Sequence, residues 1–167
     1  MNTGQTIFAL AALSLLLTIV TSMYKTFSNT DKDLMKSEIG ITAISLATSL
    51  IESAQGKAFD KATDTTDVSS LSVLTDPGSL GRETGELNAA DSTFNDFDDF
   101  NYYSRVDSFA RSGKFYTTAR VVYIDPAAPN TASASKTWNK KLTVTVVSPT
   151  MQDTIKMDYI FSYWYFR

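Results

Sequence analysis

The chain has 167 residues, enough for one domain with a real core and an appended segment. Its net charge of -3 argues against nucleic-acid binding through a basic face, and the lack of cysteine excludes disulfides, thiol catalysis and thiolate metal sites. Histidine is absent too, which removes the Ser-His-Asp triad and the commonest imidazole ligands, and about a quarter of the residues are Ser or Thr, a solvated and loop-rich composition.

The first element is apolar. No charged side chain occurs from Met1 to Tyr24, and Gly4 to Met23 just meets the ~20 residues that a membrane span needs. A removed secretory signal fits poorly, because no Lys or Arg precedes the run and "TIVTSMYKTF" has no A-x-A pattern after it. Only the terminal amine and Lys25 flank the span, so charge does not orient it.

The helical pattern then resumes. In "SEIGITAISLATSLIESAQGKAFD", Ile39, Ala43, Leu46, Ala47, Leu50 and Ala54 follow helical spacing. A second set, Ile41, Ile44, Thr48 and Ile51, widens the stripe beyond what a one-sided surface helix needs. No proline occurs before Pro77, so one helix is expected from about Gln5 to about Lys57. At 1.5 Å per residue it would be about 80 Å long, more than any bilayer, so its second half must pack on protein. Two weak points lie within it. "TIVT", Thr18 to Thr21, is β-branched throughout, and Gly40 costs ~1 kcal/mol relative to alanine. Either packing overrides both, or the helix melts or bends near Thr18 to Ser22.

Residues Ala62 to Ala90 are turn-dense, with "TDPGSLGRETGE" the densest part. From Phe94 the period becomes two. Phe115, Thr117, Ala119, Val121 and Tyr123 share one face of a strand, as do Trp138, Lys140, Leu142, Val144 and Val146 of a second. A third places Ile155, Met157, Tyr159, Phe161, Tyr163 and Tyr165 opposite Lys156, Asp158 and Ser162. A fourth is plausible around "NYYSRVDSF", and "DPAAPNTASAS" and "SPTMQD" read as hairpin connections. The outer faces are expected to be polar at Lys140, Thr143, Lys156 and Asp158, and Trp164 and Phe166 to need cover from the helix, a loop or a neighbour.

The fold class expected is therefore α+β, a long N-terminal helix packed against a C-terminal antiparallel sheet. Residues 1–28 form an apolar helix half and residues 29–167 a globular head. The apolar half has no partner within the chain. It must be buried in lipid or in copies of itself.

This layout resembles a type IV pilin or pseudopilin. The matching features are a very short leader ending at Gly4, then "QTIFALAALSLLLTIV", the helix continuing through "AISLATSLIESAQGKAFD", and the C-terminal sheet. "FNDFDDFNYYS" also resembles the segment before the sheet in some pilin-like proteins. The resemblance implies processing by a prepilin peptidase between Gly4 and Gln5, residence in the inner membrane, and export by a pilus assembly machinery. It also implies an extracellular homopolymer whose core holds Ile7, Phe8, Leu10, Leu13, Leu15, Leu16, Leu17, Ile19 and Val20. The chain departs from the family at several points. Its leader is uncharged, Ala9 stands where members usually carry glutamate, and the usual helix-kinking proline and C-terminal disulfide are missing.

Asp96, Asp98, Asp99 and Asn101 supply hard oxygen donors at short spacing, as a calcium loop would. The cluster has no Gly inside it and no Glu at the EF-hand distance. The alternative is a solvated acidic turn anchored by Phe94, Phe97 and Phe100 under the sheet. No arrangement of carboxylates across a cleft is visible, so catalysis is not expected. Two functions remain: a structural filament subunit, or a minor pseudopilin or single-pass membrane-anchored surface protein of a secretion or adhesion system. Small residues at Ala9, Ala11 and Ala12, with hydroxyls at Ser14, Thr18, Thr21 and Ser22, favour close helix approach in a polymer.

Overall fold

The computed structural model describes residues 2–87 and 91–166, with the backbone alone at Tyr165 and Phe166. The expectations for Met1 and for the side chains of Tyr165 and Phe166 therefore lie outside the described residues. Thr3–Gln55 form a single α-helix, α1. It remains helical through Thr18 to Ser22, so the local melting considered there does not occur. Thr18 Oγ1 donates to the Ser14 carbonyl and Thr21 Oγ1 to that of Leu17, both at 2.7 Å, so neither needs a partner outside the helix.

The chain divides into two compact units, residues 1–38 and residues 39–167. In the first, every described residue from Ile7 to Phe27 is exposed. The second unit holds the core. There α1 buries Ile39, Ala43, Ala47, Leu50, Ile51 and Ala54, with Leu46 partly covered. Ile41 and Ile44 of the wider stripe are instead exposed, at 68% and 47%.

The sheet is antiparallel. It comprises β1 (Tyr103–Phe109), β2 (Gly113–Asp125), β3 (Ala128–Ala132), β4 (Asn139–Val147) and β5 (Ile155–Ser162). The order is β1-β2-β4-β5, and β3 pairs with the end of β2. Phe109 opposes Gly113 at the first hairpin, where Gly113 adopts φ 85°, a value that glycine takes without steric penalty. Inward residues alternate as the period of two predicts. Phe115, Thr117, Ala119, Val121 and Tyr123 of β2 are buried, as are Lys140, Leu142, Val144 and Val146 of β4. β3 occupies the segment read as a loop. Its "APNTA" has no apolar alternation, and Ile124 and Asp125 of β2 supply its register.

Tyr163 belongs to a closing 3-10 turn rather than to β5, and its ring stacks on Trp138 with centroids 5.0 Å apart. Trp164 remains 53% exposed although it packs edge-on against both rings. The segment before β1 lies beneath the sheet. Phe94, Phe97 and Phe100 are all buried, with Phe97 5.1 Å from Phe161 in an edge-to-face contact.

One expectation is overturned. Lys140 is not on an outer polar face; it is fully buried on the inner face of β4. The alternation of β4 puts it there, and its partners make the position tenable. Lys140 Nζ donates to the Phe59 carbonyl at 2.7 Å, to Asp60 Oδ2 at 2.8 Å and to Asp98 Oδ1. All three ammonium protons are thereby used. The charge also lies over the rings of Phe59 and Tyr123, 4.6 and 5.3 Å from their centroids. Asp60 is further held by the Thr75 N–H at 3.0 Å and the Thr75 hydroxyl at 3.2 Å. Burial acts to raise the Asp60 pKa, but the charge and hydrogen bond of Lys140, with the Thr75 and Ala62 N–H groups, hold it below the usual range.

Lys140→Met would leave two buried carboxylates without their cation, so it should destabilise the head by roughly 3–5 kcal/mol. Urea unfolding followed by the fluorescence of Trp138 and Trp164 measures this. Combining it with Asp60→Asn and Asp98→Asn should recover most of the loss. The sign of the pH dependence follows from the lowered Asp60 value. Its contribution is present above about pH 4, where an unfolded aspartate is ionised, and is lost as pH falls through the lower folded pKa. Asp60→Asn should therefore flatten the acid limb of the stability curve. Because the second unit has its own core, deletion of residues 1–28 should yield a soluble, monomeric head with a cooperative thermal transition.

Candidate functional site

Two features stand out: an apolar surface on the first unit and a buried carboxylate cluster in the second. The apolar surface comes directly from sequence. Ile7, Phe8, Leu10, Leu13, Leu15, Leu16, Leu17, Ile19 and Val20 are exposed by between 49% at Ile19 and 80% at Phe8. They cover all sides of the helix because no polar face interrupts them. The segment is long and apolar enough to cross a membrane. Its hydroxyls do not spoil this character. Ser14 donates to the Ala11 carbonyl at 2.8 Å, and Thr18 and Thr21 bond as described, so these three hydroxyls have partners inside the helix. Gly4 and Gln5 lie in the first turn of α1, both exposed.

Past this stretch come Lys25, Asp31, Lys32, Asp33, Lys36 and Glu38, all on α1. Apolar exposure nevertheless continues at Phe27, Leu34 and Met35 in the first unit, and at Ile41 and Ile44 in the second.

The acidic segment before β1 is buried rather than solvated. Asp96, Asp98, Asp99 and Asn101 are exposed by 1%, 2%, 0% and 6%. The segment is tied to the end of α1 by backbone pairing. The Ala58 N–H donates to the Asn95 carbonyl and the Phe97 N–H to that of Ala58, at 3.3 and 2.8 Å. Lys57 Nζ reaches the Phe94 carbonyl at 2.6 Å. These bonds fix the direction of the run. Phe97 enters the core while the flanking carboxylates take other partners.

The four candidate ligands divide into two groups. Asp98 belongs to the Lys140 network, and burial pushes its carboxyl up despite that cation. Asn101 serves as a clamp: its Nδ2 donates to the Leu80 carbonyl at 2.9 Å and its Oδ1 accepts from the Val121 N–H at 3.0 Å. Asp98 also lies beside the Asp96 carboxyl, whereas the Asn101 amide is turned to backbone groups. Asp96 and Asp99, in contrast, come together with Glu83, one carboxylate oxygen from each lying within 4.8 Å of the others.

Glu83 arrives from the turn-dense connection. In "ETGE", Gly85 takes φ 106°, and the Glu86 carboxylate accepts the Glu83 N–H at 2.7 Å. The turn therefore sets two acidic residues beside the Asp96–Asp99 pair, and the Glu86 carboxyl lies against that of Asp99. One oxygen of each carboxylate has a protein partner. Lys61 pairs with Glu83 Oε1 at 3.0 Å, the Asp98 N–H with Asp96 Oδ1 at 2.9 Å, and the Asn95 and Asp96 N–H groups with Asp99 Oδ2. The second oxygens, Glu83 Oε2, Glu86 Oε1, Asp96 Oδ2 and Asp99 Oδ1, are buried and have no partner among the described residues. Burial, with the charges of Asp98 and Asp99 beside it, pushes the Asp96 carboxyl up to about 9. Glu83 and Glu86 are absent from the sequence-based set because tertiary folding, not spacing, brings them in.

In the rest of the second unit the inner face of the sheet is buried, and the outer face is exposed at Val106, Tyr116 and Ile160. Comparison with protein-family models, with curated proteins and with solved structures finds no match to this chain.

Proposed function

We propose that the protein is a structural subunit of an extracellular helical filament of the type IV pilus-like kind. Its apolar helix half is held in the inner membrane before assembly and packs against copies of itself afterwards. A single observation carries the reading. Exposed aliphatic and aromatic side chains continue along α1 past the ~20 residues that lipid covers, through Leu34 and Met35 to Ile41 and Ile44. Lipid contact alone accounts for Ile7 to Val20, whereas neighbouring helices account for both stretches. Ala9, Ala11 and Ala12 allow close helix approach, and the internally bonded hydroxyls impose no polar demand on the interface. The role is mechanical, with no catalysis and no nucleic-acid partner. Cleavage by a prepilin peptidase after Gly4 and transfer by an assembly machinery belong to the same reading.

The second reading is a minor pseudopilin or single-pass anchored surface protein, with the same segment kept in lipid. The uncharged run up to Tyr24 favours it equally. Negative-stain microscopy of sheared surface material, with peptide identification, separates the two. Fibres containing peptides from the head support the polymer, and recovery only in the membrane fraction supports the anchor.

Cohesion should rest on the apolar half, at ~25 cal/mol per Å² removed from water. Filaments should persist in high salt and mild acid and dissolve in detergents that coat the helices, as scored by sedimentation. Leu16→Asp places a carboxylate in the contact at a cost of several kcal/mol or forces its protonation. Assembly should fail while the circular dichroism of the head is unchanged. Normal assembly by Leu16→Asp, or dissolution of the parent by salt alone, counts against the reading.

A further inference from the structure

We infer that Glu83, Asp96 and Asp99, with Glu86 beside them, form a calcium-binding site that locks the turn-dense connection onto the segment before β1. The inference is independent of polymerisation, because every residue involved belongs to the second unit.

The geometry distinguishes this cluster from an ordinary acidic surface. Oxygens from three carboxylates converge within 4.8 Å, a separation that suits a shared cation with oxygens at 2.3–2.6 Å. Asp96 and Asp99 are 1% and 0% exposed, and each keeps a buried oxygen without a partner among the described residues. Leaving such atoms unpaired is costly, and like charges so close repel. A divalent cation answers both demands at once.

The donor set selects the metal. All donors are hard carboxylate oxygens, which suit calcium, magnesium or manganese rather than zinc or copper. Magnesium prefers a strict octahedron at 2.0–2.1 Å and keeps several waters, whereas calcium accepts an irregular cage of protein carboxylates. Here the donors come from two separate segments, with backbone N–H groups and Lys61 already occupying their outer oxygens. Those bonds hold the carboxylates in place, as the outer partners of metal ligands do. Calcium fits this cage.

The consequence is mechanical. Glu83 and Glu86 sit in a connection without strands, and their ties to the head otherwise include the exposed Lys61 pair and the Arg82 bond to the Asn101 carbonyl at 3.2 Å. A bound cation would close this connection against the segment that also holds the end of α1 through Lys57 and Ser53.

The test uses the full chain in detergent micelles, stripped with chelator and titrated with calcium chloride or magnesium chloride by calorimetry and thermal melting. Binding of one calcium per chain is expected, with a melting temperature that rises with calcium concentration. Magnesium should bind at least about tenfold more weakly. Glu83→Gln should weaken calcium binding by at least about tenfold, while Asp158→Asn on the outer sheet face should leave it unchanged. Asp96→Asn gives a second arm: it relieves repulsion, so the chelated protein should melt no lower than the parent, yet the calcium-dependent rise should vanish. The assignment is overturned if calcium leaves the parent's melting temperature unchanged. It is also overturned if Glu83→Gln and Asp96→Asn keep the full calcium response, or if magnesium binds as tightly as calcium.

Discussion

The head depends on where the ammonium of Lys140 goes. It leaves β4, crosses the core and ends among Phe59, Asp60 and Asp98, so one charge joins the sheet, the chain leaving α1 and the segment entering β1. An ion so deeply buried is tolerable only when every proton has an acceptor. That requirement fixes three segments far apart in sequence relative to one another. Asp60 extends the constraint by capping the turn at residues 61–63 and holding Thr75, whose carbonyl accepts the Tyr123 hydroxyl at 2.9 Å. A connection with little regular structure thus obtains a definite position from polar bonds rather than from apolar area. The buried aromatics then fill the space around it.

The first unit follows the opposite rule. Among its described residues it has no buried ion, no polar face over its first two turns and more, and hydroxyls at Thr6, Ser14, Thr18 and Thr21 that close back onto its own carbonyls. Its backbone is paired by the internal ladder, and its apolar surface has no cover among the described residues. A segment built this way is specified for an environment rather than for an intramolecular contact. The charged stretch from Lys25 to Glu38 separates it from the part of α1 that enters the core.

The difference between these rules explains what could be read from the sequence. The span of α1 and the inward faces of β2 and β4 were legible because period and burial coincide there, residue after residue. Lys140 shows the limit. Its position in the alternation put it inside, yet its residue type argued for an outer face, since an unpaired lysine is rarely buried. Position was the better guide. Its partners Asp60 and Asp98 lie 80 and 42 residues away, beyond any local pattern. β3 went unseen for a related reason, as its pairing with β2 rather than its own composition makes it a strand. The acidic cluster was half legible. Asp96 and Asp99 are three apart and were grouped by spacing, whereas Glu83 reaches them only through the turn at Gly85.

The charge balance of the head links these observations. Asp60, Asp96, Asp98 and Asp99 are all buried, and Lys140 is the one fully buried cation among the described residues. One positive charge stabilises Asp60 as a carboxylate and offsets part of the burial penalty of Asp98. It does not also neutralise Asp96 and Asp99, while the adjoining Glu83 pairs with the exposed Lys61. Asp96 and Asp99 must share protons or accept a cation from outside, because the described interior offers no second ammonium. The apolar half of α1 presents the same situation in the other currency of folding: surface that the chain creates and does not itself cover. In both places the unsatisfied demand is local and chemically specific. A divalent ion would match the first demand, and lipid or helices of like kind would match the second.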